Sequence, residues 1–277
     1  MTGRTRYAAV VGHPVEHSLS PAVHNAAFAA LGLDWRYVAV SVPPGRAADA
    51  VGLMREAHLG GLSVTMPHKE PVVGLVDDLT PAAAALGAVN CVWWRDLALV
   101  GDNTDGEGFL DFLREDEGFD PEAKRVVVLG AGGAGRAVVR ALARAGADVT
   151  VVNRTQARAE AAAALAGERG RAGRVEDVAS ADLVVNATPV GMSGDARLPL
   201  DAELLGPGQL VVDIVYEPAL TPLLAAARDR GAVAVNGLGM LIHQAAHAFR
   251  RWTGEDPPVE VMSAVAVAEL SRRKAEA

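Results

Sequence analysis

Val126-Val127-Val128-Leu129-Gly130-Ala131-Gly132-Gly133-Ala134-Gly135-Arg136-Ala137 decides the fold. Residues 126–129 are apolar and mostly β-branched, as a buried parallel strand requires. Glycines at 130, 132 and 135 give the spacing G-x-G-x-x-G, and Ala137, Val138 and Val139 begin a helix. Each glycine has a physical task. Gly130 allows the tight strand-to-helix turn, Gly132 lets a pyrophosphate approach bare backbone, and Gly135 lets the helix pack closely on the strand. The helix N-terminus adds free N–H groups and the positive end of a dipole. A glycine-rich turn alone would account for the motif. A second β-branched run at 149–152, at the distance a βαβ unit needs, favours a dinucleotide site.

The end of that second run selects the dinucleotide. An NAD site has Asp or Glu there for the ribose 2′-hydroxyl. This chain has Asn153-Arg154-Thr155, with Arg158 one turn on. A carboxylate would repel a 2′-phosphate, whereas a guanidinium grips it with two hydrogen bonds. A solvated surface arginine is the plainer reading of Arg154; the context points to NADP(H).

Composition narrows the class. The 277 residues are 50% hydrophobic, enough for a sizeable core and for two domains. A net charge of −8 without a basic patch argues against nucleic acid. The single cysteine, Cys91, excludes an intrachain disulfide and fits a reducing cytoplasm. The polar residues 1–6 and the short apolar run 7–11 do not make a signal peptide. No run approaches the ~20 apolar residues of a membrane helix. The expected partner is a small-molecule substrate, with no nucleic acid and no membrane, and a homodimer is the candidate assembly.

Along the chain, residues 7–11 read as a first strand leading into a loop with Ser18 and Ser20. Ser20 before Pro21 is a helix start, with Ser at the N-cap and Pro at the first helical position. Capping accounts for Ser20 and not for Ser18; two hydroxyls one residue apart at a helix N-terminus also suit a carboxylate. Strand 35–42 and helix 47–57 follow. A turn with Pro67 then presents Lys69, a position where lysine is usually solvated. Asn90 lies within an apolar strand at 88–94 and needs partners, as part of a network or as a ligand contact. Residues 101–109 hold more turn formers than a turn needs, and a helix starts at Phe109. Strands at 183–189, 210–216 and 233–237 put Asn186, Thr188, Ile214, Tyr216 and Gly237 at carboxyl ends, where a doubly wound sheet binds its ligand. His243 and His247 have zinc-protease spacing, but Gln244 replaces the necessary Glu, so no metal is expected.

Taken in order, GHPVEHSLSP with His24-Asn25, SVTMPHK, GAVN, GDNTDG, GAGGAGRA, NRT, NATPVGM and GMLIHQA strongly resemble the shikimate dehydrogenase family. The resemblance spans nearly the whole chain. It implies two α/β domains: a substrate-binding and catalytic domain at 1–105, a Rossmann-type NADP domain at 106–237, and C-terminal helices at 238–277 that return to the first. It implies reversible NADPH-dependent reduction of 3-dehydroshikimate to shikimate, a step of aromatic amino-acid biosynthesis. By position, Lys69 and Asp105 look like the catalytic pair. Ser18, Ser20 and Tyr216 look like the carboxylate site, and Thr65, Asn90 and Gln244 like partners of the ring hydroxyls. Gly130, Ala131, Gly132, Gly133, Ala134, Asn153, Arg154, Thr155, Arg158, Thr188, Ile214 and Gly237 look like cofactor contacts. Where the family has Asn before Val-Thr, this chain has Ser63, which bears on the turn holding Thr65 and Lys69 and on substrate choice. Quinate/shikimate or aminoshikimate dehydrogenases, and a non-catalytic NADP-binding sensor, are the competing readings. Chemistry agrees independently: reducing a ketone takes a hydride and a proton, and an ammonium beside a carboxylate both polarises the carbonyl and delivers the proton.

Overall fold

The computed structural model describes residues 3–276 and divides the chain into two compact α/β units. The first takes the chain up to Thr104 together with the residues from Ile242 onward; the second is Asp105–Leu241.

The first unit holds a mixed sheet: β1 (Arg6–Gly12), β2 (Trp35–Ser41), β3 (Gly61–Val64), β4 (Asp78–Leu79), β5 (Cys91–Arg95) and β6 (Ala98–Asp102), in the order β2-β1-β3-β5-β6-β4. β1 is parallel to β2 and β3, whereas β5 runs antiparallel to β3 and β6. The helices of this unit are α1 (Ser20–Ala30), α2 (Ala47–Glu56) and α3 (Pro81–Leu86). One face of the sheet buries an aliphatic cluster that includes Val11, Met54, Leu62 and Leu99. The other carries rings: His24 stacks on Tyr37 at 4.4 Å, and Phe28, Phe249 and Trp252 pack around them. At the β2 edge, the Asn25 amide donates to the Tyr37 carbonyl and accepts from the Tyr37 N–H, both at 2.9 Å. Arg36 donates to the carbonyl of Trp35.

The second unit opens with α4 (Asp105–Asp111). Its sheet is wholly parallel: β7 (Arg125–Leu129), β8 (Asp148–Val152), β9 (Gly170–Ala172), β10 (Leu183–Asn186), β11 (Leu210–Asp213) and β12 (Val233–Asn236), in the order β12-β11-β10-β7-β8-β9. α5 (Gly133–Arg144), α6 (Gln156–Ala163) and α7 (Pro222–Asp229) connect these strands. Valine, leucine and alanine dominate the cores on both faces, as strands covered on both sides require. α8 (Leu238–Thr253) and α9 (Val259–Glu276) complete the chain.

Several elements depart from the sequence reading. The turn-rich stretch 101–109 is not a loop: β6 runs through Asp102, and α4 starts at Asp105 rather than Phe109. Gly106 is there for packing, since a Cβ on it would sit 2.9 Å from the Ala137 carbonyl oxygen and 3.0 Å from Ala141 Cβ of α5. β5 begins at Cys91, so Asn90 precedes the strand. Asp105 opens the second unit, and residues 238–241 also count with it. Gly239 lies against the Phe112 ring and Met240 joins the second unit's core.

Candidate active site

In the first unit the segments leaving β1 and β3 are laid side by side. Thr65 N–H donates to the Val11 carbonyl and His13 N–H to the Met66 carbonyl, both at 2.9 Å. Gly12 fits only because it lacks a side chain, since a Cβ would strike the Thr65 methyl. The turn after Thr65 is held at both ends. Buried His68 donates from Nε2 to the Val42 carbonyl at 2.7 Å, and Val89 N–H donates to the Lys69 carbonyl at 2.7 Å. Lys69 is half-buried.

Asn90 is fixed by an interlocking set of bonds. Its Nδ2 donates to Thr104 Oγ1 at 3.0 Å, its Oδ1 accepts from Thr104 N–H at 2.8 Å, and Thr104 Oγ1 donates to the Gln244 carbonyl at 3.1 Å. Beside it, buried Asp102 accepts from Thr80 Oγ1 and Asn103 N–H and pairs with Arg251 at 3.2 Å. His68, Asp102, Thr104 and Arg251 are supports that the sequence reading missed. Only the polar cluster at 102–104 and a histidine next to Lys69 hinted at them.

The start of α1 corrects the capping assignment. Leu19 occupies the N-cap and Ser20 is already helical. It is Ser18 whose Oγ accepts from Ser20 N–H, at 3.2 Å. Ser20 is buried with its hydroxyl not committed to the helix end, and the Tyr37 phenol lies beside it and Ser63. Burial pushes that phenol's pKa up and drives the His24 imidazole down to about 3, so His24 is neutral.

The second unit carries the other set. Gly130 has a φ of +102°, the left-handed region that favours glycine, and its Cβ would press on the Ala187 carbonyl. A Cβ on Gly135 would collide with the Gly130 carbonyl oxygen, so the α5 helix can close on the turn only through glycine. Gly132 is the N-cap of α5, faces open space and supplies no side-chain cap. An uncapped helix start above bare backbone fits a pyrophosphate. Ala131, Gly133 and Ala134 complete this loop.

Asn153 Nδ2 donates to the Thr155 carbonyl, shaping the turn into α6, with Thr155 at its N-cap. Arg154 and Arg158 are exposed there and make no ion pair among the described residues, although Arg125, Arg169 and Arg171 nearby in sequence pair with Asp182, Asp148 and Asp177. Two unneutralised guanidiniums fit a 2′-phosphate. Thr188, Ile214 and Tyr216 are half-buried beyond β10 and β11. Gly237 follows β12 and crosses so close to the Ile214 carbonyl that a Cβ would overlap it. Asp105 is buried as the first residue of α4.

Ser18, Ser20, Thr65, Lys69, Asn90 and Gln244 therefore belong to the first unit, and Asp105, Tyr216 and the cofactor set to the second. Among the described residues no group of three or more His, Cys, Asp or Glu is placed to hold a metal, and no helix is long and apolar enough to cross a membrane.

The chain is similar to known proteins along most of its length. Residues 10–92 match the shikimate dehydrogenase substrate binding domain, 115–191 the shikimate / quinate 5-dehydrogenase model, and 237–266 the shikimate 5'-dehydrogenase C-terminal domain. A shikimate dehydrogenase (NADP(+)) of Moorella thermoacetica is 48% identical, covering 94% of this chain and 92% of its own. That of Citrifermentans bemidjiense is 46% identical, covering 98% of each. The crystal structure of shikimate 5-dehydrogenase from Thermus thermophilus in complex with NADP(H) and shikimate superposes with a TM-score of 0.90 at 42% identity, covering 95% of this chain and 99% of that one.

Proposed function

This chain belongs to the shikimate dehydrogenase family, and on that premise we propose that it catalyses the reversible NADPH-dependent reduction of 3-dehydroshikimate to shikimate. The observation that carries the reading is similarity along nearly the full chain to enzymes of that name; the glycine turn and the bonds joining Asn90, Thr104 and the Gln244 carbonyl support it. Buried Cys91 is at home in a reducing cytoplasm, where this reading places the chain.

Bound NADPH supplies the hydride that the ketone carbon accepts. The chain's own residues do the rest. Lys69, as an ammonium, polarises the carbonyl oxygen and gives it the proton; in the reverse direction it takes that proton back. Asp105 is its carboxylate partner. Ser18, Ser20 and Tyr216 hold the substrate carboxylate, and Thr65, Asn90 and Gln244 orient the ring hydroxyls. The bonds that fix Asn90 and the Lys69 turn before substrate arrives reduce the reorganisation needed at the moment of reaction.

The test is turnover of shikimate and quinate with NADP and with NAD, followed by NADPH or NADH absorbance, in parent and Arg154→Ala. Shikimate with NADP should be the best pair. Arg154→Ala should raise the Michaelis constant for NADP by about tenfold to a hundredfold, the equivalent of a charge-assisted hydrogen bond, and leave that for NAD nearly unchanged. Preference for quinate with NAD, or no turnover of any pair, would overturn the reading.

A further inference from the structure

Three neighbouring strands of the second unit end on polar residues in register. Asn186 pairs with Asp213 across β10 and β11, and Asp213 with Asn236 across β11 and β12. The middle residue is a fully buried carboxylate with no cation among its partners in the described residues. Its Oδ1 accepts from Asn186 Nδ2 at 2.9 Å and from Val215 N–H at 3.1 Å, and its Oδ2 accepts from Thr221 Oγ1 at 2.6 Å. Burial raises its pKa. A buried, unpaired charge is costly, so an apolar residue would serve the core better.

The geometry points to what the charge does instead. Asn186 Oδ1 accepts from both N–H and Oγ1 of Thr188, and its Nδ2 also reaches the Val190 carbonyl. Thr221 caps α7 while donating to Asp213. Asn236 donates to the Ala219 carbonyl and accepts from Leu238 N–H. Every loop leaving these strands is tied to the row, and those loops carry Thr188, Ile214, Tyr216 and Gly237.

In a doubly wound sheet a dinucleotide lies across the strand ends at the point where strand order reverses, one nucleotide over each half. Here that point falls between β10 and β7. The glycine loop and Arg154 follow β7 and β8, so the adenosine half belongs there and the nicotinamide half over β10–β12. We propose that Asp213 is a positioning residue: through Asn186, Val215 and Thr221 it fixes the loops at 187–190 and 214–221 beneath the nicotinamide half, and so governs hydride transfer without touching the cofactor. The inference rests on the NADP-dependent reading above.

The experiment compares the full-length parent with Asp213→Ala, Asp213→Asn and Thr221→Val. Three quantities are read: affinity for 2′,5′-ADP, which probes the adenosine half alone; the emission gain of NADPH on binding, which reports how firmly the nicotinamide is held; and kcat for shikimate with its primary deuterium isotope effect. Affinity for 2′,5′-ADP should stay within about twofold of the parent. The emission gain should fall, kcat should drop up to about a hundredfold, the scale of a misplaced reacting group, and the isotope effect should grow. Asp213→Asn should be milder, because Thr221 can turn its hydroxyl to accept. An unchanged emission gain and kcat in variants that bind 2′,5′-ADP would overturn the inference, as would a loss of 2′,5′-ADP affinity in step with kcat. If Asp213→Ala does not fold, Thr221→Val carries the same readouts. If the parent fails to turn over shikimate while the emission gain still separates the variants, the substrate reading falls and the role of Asp213 stands.

Discussion

The two carboxyl sheet edges are built on opposite principles. In the first unit polar side chains do the fastening: Asn90 grips the Thr104 hydroxyl, that hydroxyl holds the Gln244 backbone carbonyl, and His68 holds the Val42 backbone carbonyl. Beyond β7 of the second unit the site is made of missing side chains: Gly130 and Gly135 let the α5 helix close on the turn, Gly132 leaves backbone bare, and Arg154 and Arg158 make no ion pair among the described residues. A substrate with several hydroxyls and a carboxylate needs many donors at fixed places, and fixed places need partners. A pyrophosphate needs close approach and N–H groups, which backbone already provides. Loss of a group should therefore damage the first edge, and gain of a group the second. The cores differ as well: one face of the first sheet carries stacked rings around a neutral histidine, whereas the second unit's core is mostly aliphatic, with Phe109 and Phe112 among it.

The largest effect is expected at Lys69. Lys69→Ala should lower kcat by about 10²–10⁴, the usual contribution of a positioned acid or base, with a smaller change in the Michaelis constant for shikimate. Lys69→Arg keeps the charge but holds its proton, so it should recover little. Near-parental turnover by Lys69→Arg would remove proton transfer from the first edge. Combined with Asp105→Asn, the loss should be far smaller than the product of the single losses.

Next comes the ring-lined core. His24 has a folded pKa of about 3 against an ordinary 6.5. The unfolded chain therefore takes up a proton first as pH falls. Stability from this group is complete above pH 6.5 and is lost on the way down towards 3, by up to about 1.4 kcal/mol per pH unit. All four tryptophans, Trp35, Trp93, Trp94 and Trp252, lie in the first unit, so their fluorescence during urea unfolding follows it alone. His24→Phe keeps the stacking and should flatten the acid limb. An unchanged acid slope would assign the sensitivity elsewhere.

Glycine substitutions test the second edge. Gly135→Ala should cost about 1–3 kcal/mol of stability by overpacking against the Gly130 carbonyl. Gly132→Ala, facing open space, should melt like the parent and yet bind NADPH more weakly in a fluorescence titration. Equal NADPH affinity there would mean that bare backbone at 132 is not part of the cradle.

The smallest effect separates the two serines. Ser18→Ala should cost about 0.5–2 kcal/mol through the lost bond to Ser20 N–H, whereas Ser20→Ala should cost little through capping. Calorimetry of both variants decides it, and the reverse order would restore Ser20 as the cap.

What could be read from sequence was local. The glycine spacing and the β-branched runs show within a few residues, although the strands read over 183–189, 210–216 and 233–237 end earlier, at Asn186, Asp213 and Asn236. What escaped depends on distant partners. Gly106 and Gly108 look like turn formers until α5 is placed against Gly106. His68 meets Val42 across 26 positions of sequence. β4 and β9, at two and three residues, are too short for periodicity to mark. Ser-x-Ser-Pro suggests a cap at Ser20, but the N-cap is Leu19 and the hydroxyl that meets the helix start is that of Ser18, a choice set by backbone conformation rather than by the motif. Lys69 has no local signature at all, and only the ordered motifs around it single it out.

Asn25 has one more consequence. A bare edge strand invites pairing by strands of other molecules, the first step towards aggregates. At Tyr37 the two groups such a strand would need are already bonded to the Asn25 amide, and the Trp35 carbonyl is taken by Arg36. The chain has thus answered, with one carboxamide from its own first helix, a solicitation that crowding in a cell would otherwise repeat at every collision.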